Sequence, residues 1–143
     1  MPIARPPHPG DLVPLDDDEC IRRLHEAPWA RIAFTDPDGE PQVLPVSHLL
    51  YEGAVAFRTS PGSLLGLAVS GQRVAVQVDG GEIPARVGWS VLAIGTASMI
   101  SASRDLERLH ALPFEPWATP AERTFWVRVE IERLTGRRIV RHA

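Results

Sequence analysis

The sequence predicts a mostly β domain with a few short helices, closed as an antiparallel barrel. Three observations lead there. Short apolar runs, several of them alternating, recur between turn signals; the turns joining them are short enough for hairpins; and only three short stretches have helical spacing. This many valine-rich strands would leave pairing edges open in a flat sheet, and closure removes them. With 143 residues and 44% apolar content, the chain can bury one core without disulfide or metal staples.

The elements follow in order. Residues 1–14 read as a proline-rich, extended arm, and 15–143 as a single domain. Asp16-Asp17-Asp18-Glu19 opens a helix: the acids suit the positive end of its dipole, and Asp16 and Glu19 have capping-box spacing. Pro28 stops it. Trp29–Thr35 is a strand, Asp36-Pro37-Asp38-Gly39 a turn, and Gln42–Leu50 the returning strand. Pro45, inside that strand, cannot donate to a ladder and predicts a bulge or an edge. Ala54–Thr59 is a third strand, and Gly62–Val69 a short helix ended by Gly71. In Arg73–Asp79, Val74, Val76 and Val78 face one way. Gly80–Gly88 reads as a flexible loop and Trp89–Ile100 as a long strand bent at Gly95. Ser103–Leu112 is a helix capped by Ser103, Pro113–Pro120 is irregular, and a last long strand starts near Phe125. A short separate strand is expected at Arg137–Val140.

Composition excludes several functions. All fifteen basic residues are arginine, so Schiff-base catalysis through lysine and a Walker-type phosphate loop are both ruled out. A net charge of -3 with scattered arginines argues against nucleic acid as a partner. No run approaches a membrane span, and the N-terminal residues lack a signal-peptide apolar block, so a cytoplasmic location is expected. The lone Cys20 reads as a small buried hydrophobe, and the histidines lack metal-ligand spacing. His48 reads as a hydrogen-bonded structural residue. No nucleophile elbow marks a hydrolase.

The strongest local signal is Phe57-Arg58-Thr59-Ser60-Pro61-Gly62-Ser63, between a strand and a helix. Arg58 supplies a fixed cationic fork, and Thr59, Ser60 and Ser63 supply hydroxyls. The amides of Gly62 and Ser63, at the helix start, are expected to face outward. A phosphate there would meet all of them together. The same residues also suit an ordinary strand-to-helix turn with a serine cap.

Ala30-Arg31-Ile32-Ala33-Phe34, Val43-Leu44-Pro45-Val46-Ser47, the Arg58 turn, Gly88-Trp89-Ser90-Val91 and Gly136-Arg137-Arg138-Ile139 together resemble the pyridoxamine 5′-phosphate oxidase-like family, over roughly Leu15 to Ile139. The resemblance implies an FMN-binding split β-barrel and a homodimer, with FMN or a deazaflavin coenzyme in a cleft at the dimer interface. It implies that Arg58, Thr59, Ser60, Gly62 and Ser63 grip the phosphate. Pro45, Val46 and Ser47 would run along the flavin ring, and Trp89 and Ser90 would approach the cofactor, often from the partner subunit. Trp117 would lie near the cleft. The implied activity is a flavin-dependent oxidoreduction of a small substrate; the alternatives are a non-enzymatic flavin carrier or a cofactor-free dimeric relative.

Two departures qualify this. Relatives often place a lysine after the Gly-Ser of the turn, where this chain has Leu64. Losing one charged hydrogen bond to a phosphate costs about 1.5–3 kcal/mol. In addition, Arg141-His142-Ala143 offers no equivalent of the arginine-and-histidine segment by which true pyridoxamine phosphate oxidases hold their substrate's phosphate, so vitamin-salvage activity is not expected.

Overall fold

A computed structural model describes residues 9–63, 65, 66, 69, 71–114 and 124–141. In chain order the elements are β1 (Asp11–Pro14), α1 (Asp17–Glu26), β2 (Ala30–Thr35), β3 (Pro41–Val46), β4 (His48–Tyr51), β5 (Ala54–Thr59), β6 (Arg73–Glu82), β7 (Val87–Met99), α2 (Ser103–Ala111) and β8 (Phe125–Val140). The strands hydrogen-bond in the order β3-β2-β6-β7-β8-β5-β4, every pair antiparallel. The two ends of that path, β3 and β4, are consecutive in the chain and separated only by Ser47. They are two halves of one bent strand, each pairing on a different side, and the bend closes the ring. This is the split barrel. Pro45 falls on β3, at the end of the path, where a missing N–H is tolerated.

The alternation read from sequence sets the inside. Ile32, Val55, Phe57, Val74, Val76, Val78, Val91, Ala93, Val127 and Val129 fill the barrel. α1 packs on it with Cys20 and Leu24, both fully buried. Asp16 caps α1 by accepting the Glu19 amide at 2.8 Å. Gly136 lets this helix sit close, since a Cβ there would lie 2.5 Å from Cys20 Sγ. A smaller cluster outside the barrel joins α2 to β4, β5 and β8 through Tyr51, Ala56, Leu109 and Trp126.

Four expectations change. Asp11–Pro14, the end of the expected arm, is β1, paired with Arg137–Val140. The expected short strand at Arg137–Val140 is the last part of an unbroken β8. Most of the expected loop at 80–88 is ladder: Gly80 pairs Trp89 and Gly81 pairs Gly88, leaving only residues 83–86 as the turn. Glycine-rich composition reads as loop, but here it allows close approach of the strands. Ser103 does not cap α2; Ala102 is the N-cap, without a side-chain bond, because its carbonyl already accepts from Leu106. The bend at Gly95 is present as a register shift between Ile94 and Gly95. A Cβ at Gly95 would lie 1.6 Å from the Glu130 carbonyl oxygen.

Candidate functional site

β5 delivers Arg58 and Thr59 to opposite faces. Thr59 follows Phe57 inward and is buried. Arg58 stands on the outer face, half-buried, in register with Trp126 of β8. Its Nη2 and Nε donate to the Thr124 hydroxyl at 2.7 and 3.2 Å, and its guanidinium carbon lies 5.7 Å from the Trp126 ring centre. Two of its five N–H groups are thereby used. Among the described residues no carboxylate pairs with it, whereas Arg22, Arg23, Arg31, Arg73, Arg108 and Arg128 all have one. Beside it, the buried Trp126 indole N–H also lacks an acceptor among the described residues. A cation partly withdrawn from water without a counter-charge suits an incoming anion, and the residues present fit a phosphate group on this count.

The turn after Thr59 is less open than expected. Ser63 Oγ donates to the Ser60 carbonyl at 2.8 Å and accepts the Gly66 amide at 2.9 Å. Its one proton is therefore committed, so in its 3.0 Å contact with Ser63 Oγ the Thr59 hydroxyl is the donor. The Ser63 amide donates to the Ser60 carbonyl at 3.2 Å. The outward-facing Ser63 amide and the free Thr59 and Ser63 hydroxyls are thus corrected. They are turned inward, because the Ser60 carbonyl and the Gly66 amide of the turn take them as partners. Gly66 holds the arrangement tight: a Cβ there would lie 1.9 Å from the Ser60 carbonyl oxygen. Ser60 and the exposed Gly62 remain on the open side, without a side-chain bond among the described residues. Leu64 and Trp117 lie outside the described residues.

Pro45 and Val46 pair with Arg31 and Ala30, and Ser47 forms the bend. One step beyond the last registered pair of β4 and β5, His48 with Phe57, lie Ser47 and Arg58. The fold therefore brings Ser47, the last residue of the Pro45–Ser47 segment, beside Arg58. It does not bring Trp89 and Ser90 there. They pair with Arg138 and Arg137, whereas Arg58 pairs with Trp126, eleven residues earlier on β8. That is roughly 35 Å of strand at ~3.3 Å per residue. Trp89 turns inward, its ring against the core and 4.6 Å from the Arg23 guanidinium carbon, while Ser90 faces out.

His48 is buried, and its Nε2–H donates to the Leu24 carbonyl at 2.8 Å. Burial holds its pKa below the usual histidine range, against the opposing effect of that bond. It joins α1 to the barrel, as a structural histidine does. The residues that sequence reasoning missed are Thr124 and Trp126, the partners of Arg58. In the sequence Phe125, Val127, Val129 and Ile131 alternate with Trp126, Arg128, Glu130 and Glu132, which sets the phase of Trp126; its pairing with Arg58 depends on register.

The model of the family described as pyridoxamine 5′-phosphate oxidase matches residues 16–138. The uncharacterised protein Rv0080 of Mycobacterium tuberculosis is 34% identical over 142 residues, 96% of this chain and 91% of that one. An FAD-binding protein from Mycobacterium smegmatis superposes with a TM-score of 0.79 at 29% identity, covering 90% of this chain and 99% of that chain. An FAD-binding protein from Mesorhizobium loti shares the fold with a TM-score of 0.69 at 23% identity, covering 90% and 99%. Among the described residues no helix is long and apolar enough to cross a membrane.

Proposed function

Since the chain belongs to the pyridoxamine 5′-phosphate oxidase family, we propose that it binds a flavin nucleotide by its phosphate at Arg58 and serves as an oxidoreductase on a small substrate. The observation that carries this reading is the half-buried Arg58 guanidinium, which has a hydroxyl and a ring beside it but no carboxylate among the described residues. Arg58 would hold the phosphate, with Ser60 and the Gly62 backbone on the open side of the turn. Pro45, Val46 and Ser47 would flank the ring. When bound, the flavin supplies hydride chemistry, and the protein binds and orients it. FMN is the smallest flavin that satisfies this grip. The M. smegmatis relative, which binds FAD, makes the dinucleotide the next candidate, and a deazaflavin coenzyme offers the same phosphate.

A homodimer is part of the reading. Val43, Ala33, Ala75 and Ile94 align across four strands on the outward face, with Val43 and Leu92 exposed. A twofold contact would cover that row and bring the start of β7, with the outward Ser90, of one protomer to the Arg58 site of the other. A cytoplasmic setting suits the free, buried Cys20. One observation favours the second reading, a cofactor-free dimeric relative: the inward-turned Thr59 and Ser63 hydroxyls leave the seat with fewer donors.

Absorbance titration of the purified protein with FMN, FAD and a deazaflavin coenzyme tests the proposal. At least one should bind, and Arg58→Ala should weaken it more than tenfold. Unchanged affinity in that variant removes Arg58 from the grip. No spectral change with any of the three supports the cofactor-free reading. Reduction of the bound flavin by a nicotinamide donor separates an enzyme from a carrier.

A further inference from the structure

Both hydrogen bonds of Arg58 end on one atom. Its Nε and Nη2 donate to the same oxygen, Thr124 Oγ1, at 3.2 and 2.7 Å. A guanidinium has two forked edges, Nε with Nη2 along its side and Nη1 with Nη2 at its end. Thr124 fills the side edge. The end edge has no bond among the described residues. The fold holds this arrangement in place. Arg58 is in register with Trp126, and Thr124 lies two residues before Trp126 and so on the same face. That puts Thr124 on the diagonal from Arg58, a reach that a long side chain covers. Trp126 walls the other side, with its ring centre 5.7 Å from the guanidinium carbon. Its ring is itself packed, buried with Ile100 and Leu109 and 5.4 Å from the Phe114 ring. No carboxylate among the described residues draws Arg58 elsewhere.

We infer that Thr124 is a positioning residue for the phosphate grip: it occupies the side edge of Arg58 and leaves the end edge to receive two oxygens of the phosphate. The inference rests on the phosphate reading of Arg58. The end edge suits that ligand, because its two N–H groups run parallel and meet two oxygens side by side. Thr124 acts through Arg58 and not on the ligand. A free arginine loses the rotamer freedom of a long side chain when a ligand fixes it, and affinity falls accordingly. Here the hydroxyl fixes the fork before the ligand arrives. This counts for more because the Thr59 and Ser63 hydroxyls are committed inside the turn.

The test uses the full chain with its native threonine, with Thr124→Ser, which keeps the hydroxyl, and with Thr124→Val, which keeps the volume without it. Nitrogen-15 spectra of the arginine side chains, taken without ligand, should show the Arg58 Nε–H protected from solvent exchange in the native chain and in Thr124→Ser. It should exchange freely in Thr124→Val. Equal exchange in all of them overturns the positioning bond. FMN and riboflavin, which differ only by the phosphate, are then titrated. Thr124→Val should lower the preference for FMN over riboflavin roughly three- to tenfold, the range for ordering one long side chain, and Thr124→Ser should restore it. A general loosening of the fold weakens both ligands alike, and an unchanged ratio overturns the role. In an Arg58→Ala background, Thr124→Val should change nothing further. A loss that persists there makes the hydroxyl a ligand in its own right and overturns positioning. Inorganic phosphate, followed by the Arg58 signals, repeats the comparison without flavin. If it binds with the same dependence on Thr124 while no flavin binds, only the flavin reading falls. If FMN binds with no dependence on Thr124, only this inference falls. If neither binds, both fall.

Discussion

Arginine occurs in opposite circumstances at α1 and at the end of β5. On α1, Arg22 is held by Glu19 and by Glu26, and Arg23 lies between Glu19 and the Trp89 ring. Beside them the buried His48 gives its proton to a backbone carbonyl. Both arginines there are answered by carboxylates of the same helix, and Arg22 first among the causes holds the Glu19 carboxyl below the usual range. At the end of β5, Arg58 is half-buried with only a hydroxyl and an aromatic face for company among the described residues. The difference separates two uses of one residue type. A charge answered inside the protein orients structure. One left unanswered while partly desolvated costs free energy until something else answers it.

Truncation breaks the comparison most forcefully. Leu24→Ala, at the fully buried core of the α1 end, should cost about 2–5 kcal/mol in urea denaturation, the range for a buried leucine lost to a cavity. Arg58→Ala should cost less than about 1.5 kcal/mol, because the Thr124 bond and Trp126 contact it loses are offset by removal of a partly desolvated charge. If it instead unfolds the protein as readily as Leu24→Ala, Arg58 is a structural residue and the contrast fails. Ser63→Ala is the next sharpest probe. Losing the cap on the Gly66 amide should cost about 1 kcal/mol. Flavin affinity should hardly change, since the Ser63 proton already serves the Ser60 carbonyl. The reverse pattern, weaker flavin binding at unchanged stability, would mean that the hydroxyl turns outward to the phosphate after all.

How much of this was legible in the sequence follows from what each feature depends on. The strand alternation, the Asp16 cap and the Gly95 bend depend on near neighbours, and the structure places them as read. The prediction failed where a distant partner decides. The glycines at 80 and 81 read as loop until Trp89 and Gly88 pair with them. The Thr59 and Ser63 hydroxyls failed for a local reason instead: they read as ligand donors, but the nearest acceptors belong to their own turn. Trp126 and Thr124 meet Arg58 across sixty-odd residues of chain, through a register that no local pattern states. The Arg58 position itself was legible; what surrounds it was not.

The smallest expected effect concerns the buried histidine of the answered region, and its sign can be worked out. Burial holds the folded His48 pKa below the unfolded value of about 6.5. Above pH 6.5 both states are neutral and the histidine adds no slope. As pH falls below about 6.5, the unfolded chain takes up a proton that the folded chain refuses, so stability declines until the folded pKa is passed. The slope is at most about 1.4 kcal/mol per pH unit, one proton's worth. Glu19, Asp36 and Glu132, also held low, add the same sign only below about pH 4.5, where unfolded carboxyls begin to protonate. The interval from pH 6.5 to 4.5 is therefore where His48 shows. In His48→Gln, whose amide can still donate to the Leu24 carbonyl, urea midpoints across that interval should flatten relative to the parent. Equal slopes in the two proteins would mean that His48 takes its proton while folded, and that the α1 end answers its charges less completely than its bonds suggest.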